Sequence, residues 1–304
     1  MMEYPFLQSE QLGVISSRAR DWLVALQRQA SHTANFTLKS ALQILVGLWI
    51  CERALLDAEE FSYTKSQAQE VCQDIAPDTD IFTHLLHFDP PLVLLSTGIL
   101  RFCKLRNEGL ELFAEKISQL LQEHRDQDEA EANELFITRF LLHGLHLHPT
   151  LTAYSLPEIS ANDLILADDD ATKALIINIT AATQYGQVTL SAEEASVKPI
   201  HSILPILTID YFRAYNLELG MQLLRCMRYL NLCENPSFYT SLNFLIAQQQ
   251  PDGRLGFLAR EITLSQISQE HFGYDLNIFL PHTVSFLWTI AEATNSQFIL
   301  PKSF

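Results

Sequence analysis

The stretch Ala167-Asp168-Asp169-Asp170-Ala171-Thr172 sets three carboxylates side by side. Crowded carboxylates raise one another's pKa, so one of them could stay protonated near neutral pH and serve as a general acid. The same acids stand just before an apolar stripe made of Thr172, Leu175, Ile176, Ile179 and Ala182. At such a helix start, acids also cap free amides and complement the helix dipole. Both readings stay open. The last quarter of the chain is rich in aromatics: Phe257, Phe272, Tyr274, Phe279, Phe286 and Trp288. An aromatic-lined cavity stabilises carbocations, and aromatics equally fill helical cores. His143, His146 and His148 suggest a metal site, but on a helix only the first two share a face, and Pro149 follows at once. They read as packed or surface histidines. No GxSxG, Walker loop, Rossmann glycine pattern or HExxH occurs.

The elements that must position these residues are helices. Leu42, Leu45, Leu48 and Trp49 recur at three and four residues, as do Leu92, Leu95, Ile99, Leu100 and Cys103. Asp89-Pro90 places a cap residue before a proline at a first helical position. Asp78 and Ser155 are similar candidates for helix starts. The helix after Asp168–Asp170 is expected to stop at Gly186. Roughly eleven or twelve helices are expected. The one strand-like run is Val188 to Leu190, within a long loop over 186–204 that Pro199 and Pro205 close.

The composition agrees. The 304 residues are 48% hydrophobic and 18% charged, which excludes disorder for most of the chain. Ten glycines are few for a strand-and-turn protein. The net charge of −16 is concentrated in residues 52–134, with 18 acids against 7 Lys and Arg, and offers no basic footprint for nucleic acid. The five cysteines, Cys51, Cys72, Cys103, Cys226 and Cys233, are widely spaced without CxxC, which points to a reducing compartment. The N-terminus lacks signal-peptide order, and the apolar run Ala41–Cys51 is too short to span a bilayer. A cytoplasmic protein without a membrane span is expected.

An internal repeat aligns Ile99–Asn107 with Leu223–Asn231 at an offset of 124 residues. Ile117, Leu120 and Leu121 fall opposite Leu242, Leu245 and Ile246. Helical hairpins repeated in this way bury their faces by stacking on neighbours. The second copy ends in Phe244-Leu245-Ile246-Ala247-Gln248-Gln249-Gln250-Pro251-Asp252-Gly253-Arg254-Leu255-Gly256-Phe257. This segment resembles the QW-type repeat of terpenoid cyclases and protein prenyltransferase β subunits, with Leu255 where the aromatic usually stands. Its glutamines can bond the orphan carbonyls of a helix end and tie one hairpin to the next. Ala167–Leu175 is similar to the Asp-x-Asp-Asp-Thr-Ala motif of class II terpene cyclases, with Ala167 in place of the first Asp. Phe272–Trp288 resembles the prenyltransferase segment in which His-Thr, here His282-Thr283, follows an Asp-aromatic element.

The resemblance implies an all-α fold, an (α/α)6 toroid of stacked hairpins that is complete or incomplete. It implies a single domain over 1–304, with residues 1–160 more divergent and acidic and 161–304 carrying the similarity. Twelve helices of about 25 residues each with their loops fit that length. It makes Asp169 the catalytic acid and Asp170 its partner. Asp168, Tyr274, Asp275, His282, Phe286 and Trp288 become the ligand-binding residues. The Asp-x-Cys zinc segment of the prenyltransferases is absent, so no metal and no cofactor is expected. The implied function is biosynthetic: an apolar or isoprenoid-like substrate bound in a central cavity, with acid-initiated cyclisation. The alternative is an accessory toroid, without catalysis, that binds a peptide or carrier protein. A homodimer or a protein partner could complete the site in either case.

Overall fold

The computed structural model describes residues 9–30, 37–56, 59–74, 89–123, 135–147, 154–256, 275–295 and 298. Among them the chain is all-helical, with twelve α-helices and no strand. The helices are α1 (Ser9–Ala30), α2 (Leu38–Ile50), α3 (Ser62–Asp74), α4 (Pro90–Phe102), α5 (Glu108–Glu123) and α6 (Phe136–Gly144). There follow α7 (Ala161–Ile165), α8 (Asp169–Thr183), α9 (Lys198–Arg213), α10 (Leu217–Tyr229), α11 (Pro236–Ala247) and α12 (Leu280–Thr294). A π-helical turn, Cys51–Leu55, continues α2, and another, Asp275–Phe279, leads into α12.

The helix starts follow local chemistry. Asp89 accepts the Leu92 amide ahead of Pro90, and Asp168 accepts the Ala171 amide. Ser155 starts no helix. Ser160 caps α7 instead, accepting the Asp163 amide. Asp78 lies outside the described residues. Helix α8 ends at Thr183, three residues before Gly186, because Gln184 and Tyr185 already take left-handed backbone angles. Val188 to Leu190 pair with no strand. Pro199 sits in the first turn of α9, and Pro205 lies inside that helix.

Burial explains why some helices read so clearly. In α2, residues 40–50 are all buried except Gln43. A helix apolar on every side has neighbours on every side. Here α2 packs on α1, α3, α4 and α12. Gly47 lets the helices approach closely at this crossing, since a Cβ there would lie 2.8 Å from Leu23 Cδ1 and 3.2 Å from Val284 Cγ2. Six helices follow one another in contact: α6 on α4, α4 on α2, α2 on α12, α12 on α10, and α10 on α8. Tyr185, just past α8, closes the succession, with its ring 5.1 Å from Phe140 of α6. Further contacts place α1 on α2 and α12, α3 on α2, α5 on α4 and α6, and α9 and α11 on α10.

The two copies of the repeat are both hairpins, α4–α5 and α10–α11, but their register differs from the sequence match. The left-handed residue that ends the first helix is Lys104 in one and Asn231 in the other, an offset of 127. The closing bonds agree, with Leu105 N donating to Leu100 O and Leu232 N to Met227 O. The structural counterpart of Arg101 is therefore Arg228, and not Arg225 as the 124-residue offset has it. Arg225 and Arg228 are three residues apart, so a slip of nearly one turn leaves the apolar pattern almost unchanged.

The glutamine-rich turn after α11 bonds its own helix end, Gln248 Nε2 donating to Phe244 O at 3.0 Å, and also ties the chain back to α1. Gln249 Nε2 donates to Ile15 O of α1 at 2.9 Å and to Gly253 O at 3.2 Å. Gly253 has φ +104°, and a Cβ on it would stand 2.0 Å from Arg18 O. Only glycine allows this turn to lie against α1. Leu255, in the aromatic's usual position, is fully buried, and its amide donates to Thr283 Oγ1.

Candidate functional site

A cavity of about 190 Å³ is lined by residues of α2, α4, α6, α10 and α12 and by the turn after α8. Gln43 and Val46 line it from α2, Asp89, Pro91, Leu92 and Leu95 from the start of α4, and Ile137 and Leu141 from α6. Tyr185 lines it from the turn after α8, and Arg225 from α10. Helix α12 contributes Pro281, Val284, Ser285 and Trp288, spaced at i, i+3, i+4 and i+7 and hence on one face. Most of the wall is apolar, with a few polar groups converging on it, which is the usual make-up of a small-molecule site.

The polar wall is built around Trp288. Its ring stacks on Tyr185 at 18° with centroids 6.3 Å apart. The Arg225 guanidinium lies 4.3 Å from the Trp288 ring centroid, a cation–π contact. The indole N–H donates to Glu292 Oε1 at 2.6 Å, and the Tyr229 hydroxyl donates to Glu292 Oε2 at 2.7 Å. Glu292 is buried. Burial raises its pKa, while the Arg225 charge and the two hydrogen bonds act the other way. Burial also raises the Tyr185 and Tyr229 phenols, so both remain protonated donors. Arg225 makes no hydrogen bond or ion pair among the described residues, and its Nε and Nη1 are buried without an acceptor.

Of the candidate site residues among the described ones, Trp288 alone lines this cavity. Asp168, Asp169 and Asp170 are exposed at the start of α8 and form no part of its wall. Asp168 is the cap. Asp169 Oδ1 accepts the Tyr211 hydroxyl of α9 at 2.9 Å, and the same hydroxyl lies 3.0 Å from Thr172 Oγ1. Asp170, 90% exposed, pairs with Lys173 at 3.0 Å. Asp275 pairs with Arg254 of the glutamine-rich turn at 3.0 Å, and Arg254 also stacks over Phe279. Phe286 is fully buried in the core. His282 neighbours the cavity residue Pro281, but one residue along a helix turns the side chain about 100° away. Its Nδ1 is buried without a partner, and burial lowers its pKa against the pull of Glu218. Tyr274, Phe257, Phe272 and His148 lie outside the described residues. His143 ends α6, and His146 follows it in a left-handed turn with φ 61°, so the two do not share a helical face. No cluster of three His, Cys, Asp or Glu fit to hold a metal occurs among the described residues.

Sequence reasoning missed Tyr185, Arg225 and Glu292. Two of them left a signal. Arg225 is a lone charge in the apolar run Leu223-Leu224-Arg225-Cys226-Met227. Glu292 is an acid in the last turn of an apolar helix, where the dipole opposes it. No helix is long and apolar enough to cross a membrane among the described residues. No protein family, curated protein or solved structure shows detectable similarity to this chain.

Proposed function

We propose that the chain is a small-molecule-binding (α/α)6 toroid of the terpenoid-cyclase type, with a compact apolar or isoprenoid-like ligand in its central cavity. The inner ring is α2, α4, α6, α8, α10 and α12. The observation that carries this reading is the cavity itself, walled by five of these helices and the turn after the sixth. Its size restricts the ligand. A dry cavity of roughly 150 Å³ holds one benzene, so this one takes a single ring or a short isoprenoid rather than a long polyene.

An accessory, non-catalytic role is the second reading. The observation that favours it is that Asp169 and Asp170 stand exposed at a helix start, outside the cavity wall. Asp89 is the one acid among the lining residues, and it is exposed at the start of α4. Native mass spectrometry of protein purified gently from its own host tests the cavity reading. A retained apolar molecule of small mass, lost in Ser285→Phe, is the expected result. A clean mass in both proteins, with a co-purifying polypeptide, would replace it with the accessory reading.

A further inference from the structure

We infer that the ligand of this cavity is a neutral apolar molecule carrying one oxygen, an alcohol or carbonyl compound, whose oxygen accepts a hydrogen bond from the Tyr185 hydroxyl. The inference rests on the cavity reading above. It starts from the way α8 ends. Helices α4, α6, α9 and α10 each close on a single left-handed residue: Lys104, His146, Tyr215 and Asn231. Helix α8 closes on three in succession, Gln184, Tyr185 and Gly186, with φ 47°, 58° and 77°. Left-handed backbone is disfavoured for glutamine and tyrosine, so packing must hold this turn. The packing is aromatic. The Tyr185 ring lies among those of Phe136, Phe140, Tyr229 and Trp288, with centroids 5.1 to 6.4 Å away. Tyr185 is 7% exposed, yet its hydroxyl makes no hydrogen bond among the described residues and is not sealed off by protein atoms. Since Tyr185 lines the cavity, that hydroxyl opens onto it. A buried tyrosine O–H ordinarily finds a partner. The neighbouring Tyr229 has one in Glu292.

The other unbonded polar groups of the wall are neutral too. Gln43 is the one residue of 40–50 in α2 that is not buried, and it lines the cavity. Ser285 stands between Pro281 and Trp288 on the half-buried stripe of α12 that lines the same space. Neither side chain makes a hydrogen bond among the described residues, and neither is sealed off. An amide and a hydroxyl both donate and accept, so they suit an alcohol or carbonyl oxygen. The charged groups do not compete for it. The Arg225 Nε and Nη1 are enclosed, and its charge lies against buried Glu292. Asp89, exposed at the start of α4, repels an anion. Burial keeps the Tyr185 phenol protonated and therefore a donor.

Limonene, perillyl alcohol and perillic acid test this. They share one isoprenoid ring and carry a methyl, a hydroxymethyl and a carboxyl group at the same carbon. Tryptophan fluorescence reports each affinity, because Trp288 is on the wall. Wild type is expected to bind the alcohol at least about fivefold more tightly than the hydrocarbon. The acid, ionised at neutral pH, should bind more weakly than the alcohol. Tyr185→Phe keeps the ring and removes the hydroxyl. It should bring the alcohol down to the affinity of limonene and leave limonene unchanged. Its melting temperature should not fall, since no bond within the protein is lost. Ser285→Phe should weaken all three ligands, with melting curves showing that it is folded. Equal binding of alcohol and limonene by wild type, or an acid bound most tightly, would overturn the inference and leave the cavity reading standing. An alcohol preference unchanged in Tyr185→Phe, or a markedly lowered melting temperature there, would do the same. Failure of all three probes to bind wild type, or undiminished binding to Ser285→Phe, would overturn the cavity reading and this inference with it.

Discussion

The hairpins α4–α5 and α10–α11 are built alike and use their arginines differently. In the first, every nitrogen of Arg101 is engaged: the fork clamps Glu111 of the next helix, and Nη1 closes the carbonyl end of α6. That arginine fastens three elements together. In the second hairpin, the Arg225 guanidinium lies over the Trp288 ring, and its buried Nε and Nη1 have no acceptor among the described residues. Its charge is balanced from behind Trp288 by buried Glu292, which shares the ring but not the N–H groups. A cation fully satisfied within the protein contributes to the fold.

The largest effect that would break this comparison is expected from Glu292→Ala. It leaves the Tyr229 hydroxyl and the Trp288 indole without acceptors in a buried site and isolates Arg225. Urea unfolding should show a loss of about 3 kcal/mol. A loss under about 1 kcal/mol would mean that the wall is not held together by Glu292.

The two arginines can be set against each other directly. Arg101→Met strips the Glu111 and Leu145 contacts from a partly exposed site and should cost about 2 kcal/mol. Arg225→Met forfeits a cation–π contact and the counter-charge of buried Glu292 but also removes two orphaned donors, so its loss should stay below that of Arg101→Met, at about 1 kcal/mol. Equal losses in the two variants would show that Arg225 is as structural as Arg101.

Histidine adds a pH dependence. Burial lowers the pKa of both His282 and His201 from the ordinary 6.5. The unfolded chain then binds protons that the folded chain refuses, so this stability is full above pH 6.5 and is lost as pH falls through the lowered values. Glu292, raised by burial, acts in the opposite sense, so the variant difference is the clean measurement. The melting temperature of His282→Gln should fall less than that of wild type between neutral pH and pH 5. Parallel curves would remove His282 from the account. The smallest effect is expected at Asp169→Asn, which keeps an acceptor for Tyr211 at an exposed site. Its stability should change by under about 0.5 kcal/mol and its ligand affinity not at all. A marked loss of turnover or affinity would restore Asp169 to the site.

How much of this was legible depends on the reach of each interaction. Thr172, Leu175, Ile176, Ile179 and Ala182 were readable as one buried stripe, and all are buried. Asp89-Pro90 was readable as a helix start because a cap acts on amides three residues away. The aspartate run was conspicuous through local composition, yet its side chains bond at short range and to Tyr211 rather than to the cavity. Trp288 was found among the aromatics because its type is suited to a wall, but nothing local separates it from core Phe286. The repeat was visible, but its register slipped by three residues, since helical periodicity repeats almost as well one turn away.

The sequence by itself determined the helical class and the helix starts at Asp89 and Asp168, because these depend on spacing of three or four residues and on caps that bond within one turn. Tertiary structure alone decided which polar groups meet. Tyr229 and Glu292 are 63 residues apart, and Gln249 bonds a carbonyl 234 residues away. The conversion of Arg225 from one polar residue among many into an orphaned donor came from α10, α12 and the turn after α8 converging on one cavity. Burial, and with it the energy of an unpaired charge, is a property of neighbours that no local pattern encodes.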